Sequence, residues 1–263
     1  MGEVAENHSV TTFHSAASIG TTSPLKLLVT GPAYWPTEDM AVRKFWLYLA
    51  SCRKFGITPQ FYGPRTDHYY GGAGMRIYGL LDFLKTLNGE WTHILFSHLW
   101  DVLFTRPLAD VISTYERFGR PPLLMGTAKQ DISDLHPPES DRYLPLFDKT
   151  ETYWYPGWSM YMAEIPYIID RFGQIEKGFH NDCIPLLNAL ESKVLEPVYD
   201  RQCEMFMTVI DQKTELDVVD GRAYNFMTGT TPALIHFLLG VADPETGKDA
   251  EIIPWARRLN IIP

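Results

Sequence analysis

Two side chains able to hold a cation stand three residues apart in the run His93-Ile-Leu-Phe-Ser-His-Leu-Trp-Asp-Val-Leu-Phe104. Ile94 to Phe96 are apolar with no polar face, the pattern of a strand buried on both sides of a parallel sheet. Polarity returns abruptly with Ser97, His98, Trp100 and Asp101, and Val102 to Phe104 are apolar again. In open α/β sheets ligands bind just beyond the carboxyl ends of the strands, and this is such an end. Across the turn His98 and Asp101 can converge on one cation. An imidazole and a carboxylate together suit Mn, Fe, Co or Zn better than Ca. The same residues also suit a plain strand end, with a hydrogen-bonded histidine and a turn-capping aspartate. So short a motif leaves both readings open.

The elements needed to position such a site are present upstream. Lys26 to Thr30 reads as a first strand and Gly31 to Pro36 as the loop after it. Thr37 suits the cap of a helix with Glu38 and Asp39 in its first turn. Val42, Phe45, Trp46 and Leu49 fall at i, i+3, i+4 and i+7, one apolar face, and Gly56 ends the helix. Thr58 to Tyr62 reads as a second strand. The glycine-rich Tyr69-Tyr-Gly-Gly-Ala-Gly74 then leads into a helix with Ile77, Leu80, Leu81 and Leu84 on one side. Leu108 to Phe118 reads as a helix stopped by Gly119, and Leu123 to Gly126 as another buried strand. This β-α-β-α-β order is that of a nucleotide-binding α/β half-domain. No G-x-G-x-x-G follows the first strand and no Walker A sequence occurs, so dinucleotide and P-loop readings lose ground.

Beyond it, Gln130 to Thr152 is rich in Pro and Asp and reads as a surface excursion. Tyr153-Trp-Tyr-Pro-Gly-Trp-Ser-Met-Tyr161 suits either a core strand or a platform for a sugar ring or a nucleobase. Ile165 to Phe172 and Ile184 to Leu190 read as helices. Tyr199-Asp-Arg-Gln202 would open a third, containing Met205, Phe206, Val209 and Ile210, with Asp200 as its cap. Val218 to Asp220 reads as a late strand, and Thr231 to Phe237, with His236, closes the core. Asp243 to Lys248 is a polar turn and Glu251 to Pro263 a closing segment. Residues 1–24, rich in Ser and Thr, read as a loosely attached tail, which leaves one domain over residues 25–263.

A formal net charge of −9 disfavours non-specific binding to nucleic acid or anionic membrane. No apolar run approaches the roughly 20 residues of a membrane helix, and no secretory signal is evident. Cys52, Cys183 and Cys203 are too few and too scattered for a metal site or a disulfide framework, and read as reduced, mostly buried thiols. A cytoplasmic enzyme is the expectation.

The segment around Asp101 resembles the metal-binding stretch of GT-A glycosyltransferases, in particular the glycosyltransferase domain of the procollagen lysyl hydroxylases. In that family a strand is followed by Asp-x-aromatic-Asp-Val; here His98-Leu-Trp-Asp-Val102 stands, with His98 at the first Asp. The resemblance continues in order through Leu27 to Thr30, Ser51, Gly71-Gly-Ala-Gly74 and the Pro232-x-x-x-His236 spacing, over roughly residues 25–240. Three positions depart from it: His98, Met75 where the family has Lys, and Arg201 where it has the second acid of an Asp-Asp-Gln type motif. An Asn-Ser-Gly-Gly type turn survives only as Gly157 and Ser159.

The resemblance implies a single GT-A domain, α/β, with a mixed, mostly parallel sheet between helices. It implies a hexosyltransferase using a nucleotide-sugar, a UDP-sugar, and a divalent metal, Mn²⁺, with an unspecified acceptor. It places His98, Asp101 and His236 on the metal, Trp100 against the base and Arg76 near the diphosphate. Thr30, Gly157 and Gln202 join the donor site, and Asp200 is the acid beside the sugar, as base or positioning group. The departures keep a second reading open, a non-catalytic GT-A domain binding a nucleotide or a protein partner. A third is a metal-dependent hydrolase using His93, His98, Asp101 and His236, against which His93 stands at the far end of its strand.

Overall fold

The computed structural model describes residues 24–33, 45–63, 74–129, 138–176, 183–209, 215–237 and 252–263. The tail to residue 23, the helix start at Thr37, the glycine-rich loop up to Ala73 and the turn at residues 243–248 lie outside the described residues.

Among the described residues, nine strands form one curled sheet. β1 (Leu27–Pro32) lies between β2 (Gln60–Tyr62) and β3 (His93–Ser97), both parallel to it. β6 (Tyr155–Glu164) runs antiparallel between β3 and β5 (Leu123–Ala128). β5 takes two parallel partners: β7 (Val198–Asp200) along Leu124 to Gly126, and β8 (Phe206–Val209) at Thr127 and Ala128. β11 (Leu234–Phe237) is parallel to β8, and β4 (Val102–Phe104) closes the edge antiparallel to β11. The sheet is therefore mixed and mostly parallel, as expected. The hairpin of β9 (Leu216–Val219) and β10 (Arg222–Asn225) stands apart, turning at Asp220 and Gly221, both with positive φ.

Alternation along the strands sorts the helices onto two faces. Leu28, Ile94, Phe96, Leu123 and Met125 meet α2 (Leu80–Thr86), α4 (Ile165–Phe172) and α5 (Cys183–Glu191). Leu27, Val29, Leu95 and Leu124 meet α1 (Trp46–Lys54) and α3 (Leu108–Arg117). A third cluster packs α6 (Ile252–Arg258) against Met207, Ile235 and Leu103. No helix among the described residues is long and apolar enough to cross a membrane. Cys52 and Cys203 are free and buried.

Two expectations need correction, and one reading left open is decided. The inward side of α1 carries Phe45, Leu47, Tyr48, Ser51 and Cys52, whereas Trp46 is 39% exposed. Tyr48 and Cys52, one and two turns on from Phe45, continue its stripe in place of Trp46, and Leu49 packs against it half-buried as expected. The helix expected after Tyr199 is the strand β8, because Phe-Met-Thr-Val is a short apolar run suited to a slot buried on both faces, between β5 and β11. The aromatic run at Tyr153 to Tyr161 enters the core as β6, buried from Tyr155 to Ala163, with Tyr161 stacked on Phe96 at 4.6 Å.

Candidate functional site

The turn from His98 to Asp101 joins β3 to β4 and is fixed at both ends by backbone bonds. His98 N–H donates to the Ser159 carbonyl at 2.9 Å, and Phe237 N–H donates to the Asp101 carbonyl at 2.8 Å. Ser51 ties the corner to α1: its hydroxyl donates to the Tyr48 carbonyl at 2.7 Å and accepts from Phe104 N–H at 3.1 Å. Leu99, fully buried, plugs the turn into the core beside Gly31. A Cβ on Gly31 would lie 2.3 Å from the Ser97 carbonyl oxygen and 2.5 Å from Leu99 Cδ2, so only glycine admits this corner.

The pairing of β11 with β4 then brings in a residue 135 positions away. His236 sits opposite Val102, and its Nε2–H donates to Asp101 Oδ2 at 3.0 Å. Asp101 Oδ1 faces His98 Nδ1 at 3.7 Å, beyond hydrogen-bond reach. The rings of His98 and His236 lie edge to face at 5.5 Å. All three residues are buried, at 7%, 5% and 2% exposure for His98, Asp101 and His236, and together they form a group able to hold a metal ion.

Arg76, in the π-helical turn Gly74–Gly79, donates from Nη1 to His98 Nε2 at 2.8 Å. Trp100 stacks on His98, its ring 5.2 Å from the His98 ring at 29°. Burial, followed by the Arg76 charge, holds the His98 imidazole well below its usual range, so it is neutral. Burial pushes the Asp101 carboxyl up, but the His236 charge and hydrogen bond, with His98, outweigh it and leave the net shift downward.

The residues fit a cation. Among the described residues, His98 Nδ1 and the facing Asp101 Oδ1 are buried without a hydrogen-bond partner, which costs free energy unless a ligand meets them. Two atoms each about 2.1 Å from one ion stand about 3–3.5 Å apart at octahedral or tetrahedral angles, near the 3.7 Å between His98 and Asp101. Two imidazoles and a carboxylate form a transition-metal donor set.

The remaining candidates are placed differently. Thr30 is buried and its hydroxyl donates to the Gln60 carbonyl at 2.7 Å, stitching β1 to β2. Gly157 lies under β5 and β8: a Cβ there would stand 3.1 Å from the Gly126 carbonyl oxygen and 3.4 Å from Thr208 Oγ1. Gln202 is exposed, and its carbonyl accepts the Thr230 hydroxyl at 2.9 Å. Arg201 points to Asp148 at 3.6 Å and Glu151 at 3.8 Å.

Asp200 is fully buried, with Oδ1 accepting Glu204 N–H at 2.9 Å and Oδ2 accepting Met205 and Phe206 N–H at 2.7 and 2.8 Å. Burial raises its carboxyl to about 6 despite those three amides. His93 lies at the far end of β3, about 13 Å of strand from Ser97. There it bonds Thr92 and meets Tyr115 edge-on, so the four-residue hydrolase set does not assemble. Thr208, which no motif singles out, pairs in register with His236, and its buried hydroxyl has no hydrogen-bond partner among the described residues. Reading its segment as a helix hid it.

No protein-family model and no curated protein matches the sequence. Among solved structures, the fold is similar to that of a glycosyltransferase involved in the glycosylation of the major capsid of PBCV-1. The two chains are 10% identical and superpose with a TM-score of 0.50, over 87% of this chain and 100% of the other. The likeness supports a GT-A-like glycosyltransferase fold and carries no particular tie to the procollagen lysyl hydroxylases.

Proposed function

We propose that the protein is a metal-dependent glycosyltransferase that moves a hexose from a nucleotide-sugar, a UDP-sugar, to an acceptor. The observation that carries the reading is the buried His98, Asp101 and His236 cluster at the carboxyl end of β3, with ligand atoms left unpartnered, on a glycosyltransferase-like fold. Bound there, a divalent cation such as Mn²⁺ supplies charge to the leaving diphosphate. The chain's own residues do the rest. Asp101 keeps its charge in the buried turn, and His236 holds that carboxylate in one orientation. Trp100 offers a half-buried indole face for the base. Gly157 keeps β6 close to β5 and Thr208. Asp200 enters as a positioning residue, shaping the turn between β7 and β8, because its oxygens are engaged by three amides. The acceptor is a small molecule, a glycan or a peptide, and a cytoplasmic setting fits the free thiols.

The same engagement of Asp200 favours a second reading, a domain that binds a nucleotide without transferring sugar. Purified protein incubated with UDP-sugars and Mn²⁺ separates the two. Release of nucleoside diphosphate that depends on donor, metal and an added acceptor is the expected result. Donor binding seen by thermal shift with no release under any of these conditions would leave the second reading standing.

A further inference from the structure

Arg76 Nη1 lies 2.8 Å from His98 Nε2. A guanidinium has donors only, so Nε2 accepts, and the neutral imidazole carries its one proton on Nδ1, the nitrogen facing Asp101 Oδ1. A cation can take His98 in two ways. At Nε2 it occupies the place the guanidinium fills. At Nδ1 it needs that nitrogen bare, and the neutral ring then carries its proton on Nε2. An Nε2–H and an Nη1–H would face each other across the same 2.8 Å, two donors without an acceptor. Either way the contact must break.

We propose that Arg76 and a divalent cation are alternative partners of His98, so that Arg76 sets the metal affinity of the site and lets go of His98 when the metal binds. The proposal rests on the metal-site reading above. The proton count closes in both cases: it stays on Nδ1 when the ion takes Nε2, and passes to Nε2 through solvent when the ion takes Nδ1. Once off the imidazole, the guanidinium can turn to an anion drawn to the same cation. The contact with His98 thus makes Arg76 a competitor for the metal first and an anion contact second.

Co²⁺ is the probe, followed by its visible absorption in wild type, Arg76→Ala, His98→Ala and the double variant. Arg76→Ala should bind Co²⁺ about tenfold more tightly than wild type. In the His98→Ala background the same change should alter affinity by less than about twofold. Unchanged or weaker binding in Arg76→Ala, with wild type still binding, would overturn the proposal and leave the metal site intact. Persistence of the full gain without His98 would overturn it too, showing a remote charge effect. No Co²⁺ binding by wild type or Arg76→Ala would bring down the metal-site reading along with it. A second measurement needs no variant: ring ¹⁵N shifts of His98 should report the Nδ1–H tautomer without metal and a changed state with Zn²⁺. An Nε2–H tautomer in the metal-free protein would overturn the proposal.

Discussion

Asp101 ends the turn after β3 and Asp200 ends β7; both are buried, at 5% and 0% exposure, yet they are surrounded in different ways. Among the described residues the Asp200 carboxyl meets only backbone donors, the amides of Glu204 and Met205 in the five-residue bend and of Phe206 at the start of β8. Among the described residues, Asp101 has one oxygen on His236 and the other without a hydrogen-bond partner beside His98. Burial lifts Asp200 to about 6, whereas the imidazoles around Asp101 bring it below its ordinary value in spite of burial. Full satisfaction by backbone marks a carboxyl that shapes the chain. An incomplete set of partners, in a site that costs free energy to leave empty, marks one held for a ligand.

The sharpest way to break this contrast is Asp101→Asn, which keeps the shape and removes the charge. Donor-dependent nucleoside diphosphate release should fall about 100-fold or more. Stability by urea unfolding should fall by only about 1–2 kcal/mol, because the asparagine oxygen can still accept from His236 Nε2–H. A large stability loss with normal turnover would make Asp101 structural and erase the difference between the two acids.

Asp200→Asn tests the other side. The folded carboxyl titrates near 6 and the unfolded one near 4, so the native state takes up a proton first as pH falls. Its stability contribution is therefore fully present below about pH 4 and lost as pH rises through 6, by up to about 3 kcal/mol. The difference in stability between wild type and Asp200→Asn should shift by that amount toward the variant between pH 4 and pH 7. Turnover per folded molecule should change less than about threefold. A flat difference across pH would remove the buried-acid account. Normal donor affinity with a collapse of turnover would instead put Asp200 beside the sugar, as the family resemblance implies.

What could be read from the sequence divides along similar lines. The β3 strand end, with His98 and Asp101, was legible because the break from apolar to polar is local. His236 was reachable only through the resemblance, since nothing local says that β11 pairs with β4. The helices α3 and α4 carried clear stop and start signals, Gly119 with positive φ and Pro166 in the first turn. β8 failed because Met205, Phe206 and Val209 fit a helical stripe as well as a strand, and only burial between β5 and β11 decides. Asp200 is half legible: its position suits capping chemistry, but it satisfies the start of a strand, not of a helix. The Arg76 contact with His98 could not be read at all, because it joins residues 22 apart through side chains alone.

Thr30 is the smallest case of the same contrast and the easiest to test. The resemblance puts it in the donor site, whereas its hydroxyl donates to the Gln60 carbonyl between β1 and β2. Thr30→Val keeps the branched shape and removes that bond. The Gln60 residue is exposed, so water can reach the abandoned carbonyl and the desolvation penalty is avoided. Stability should therefore drop by only about 1 kcal/mol, seen as a lower urea midpoint with unchanged m-value. Donor affinity, measured by thermal shift against UDP-sugar concentration, should match wild type within about twofold. A loss of tenfold or more in affinity with stability intact would mean that the hydroxyl serves the ligand and not the strand pair. Thr30 would then move from the group that shapes the sheet to the group that meets the donor.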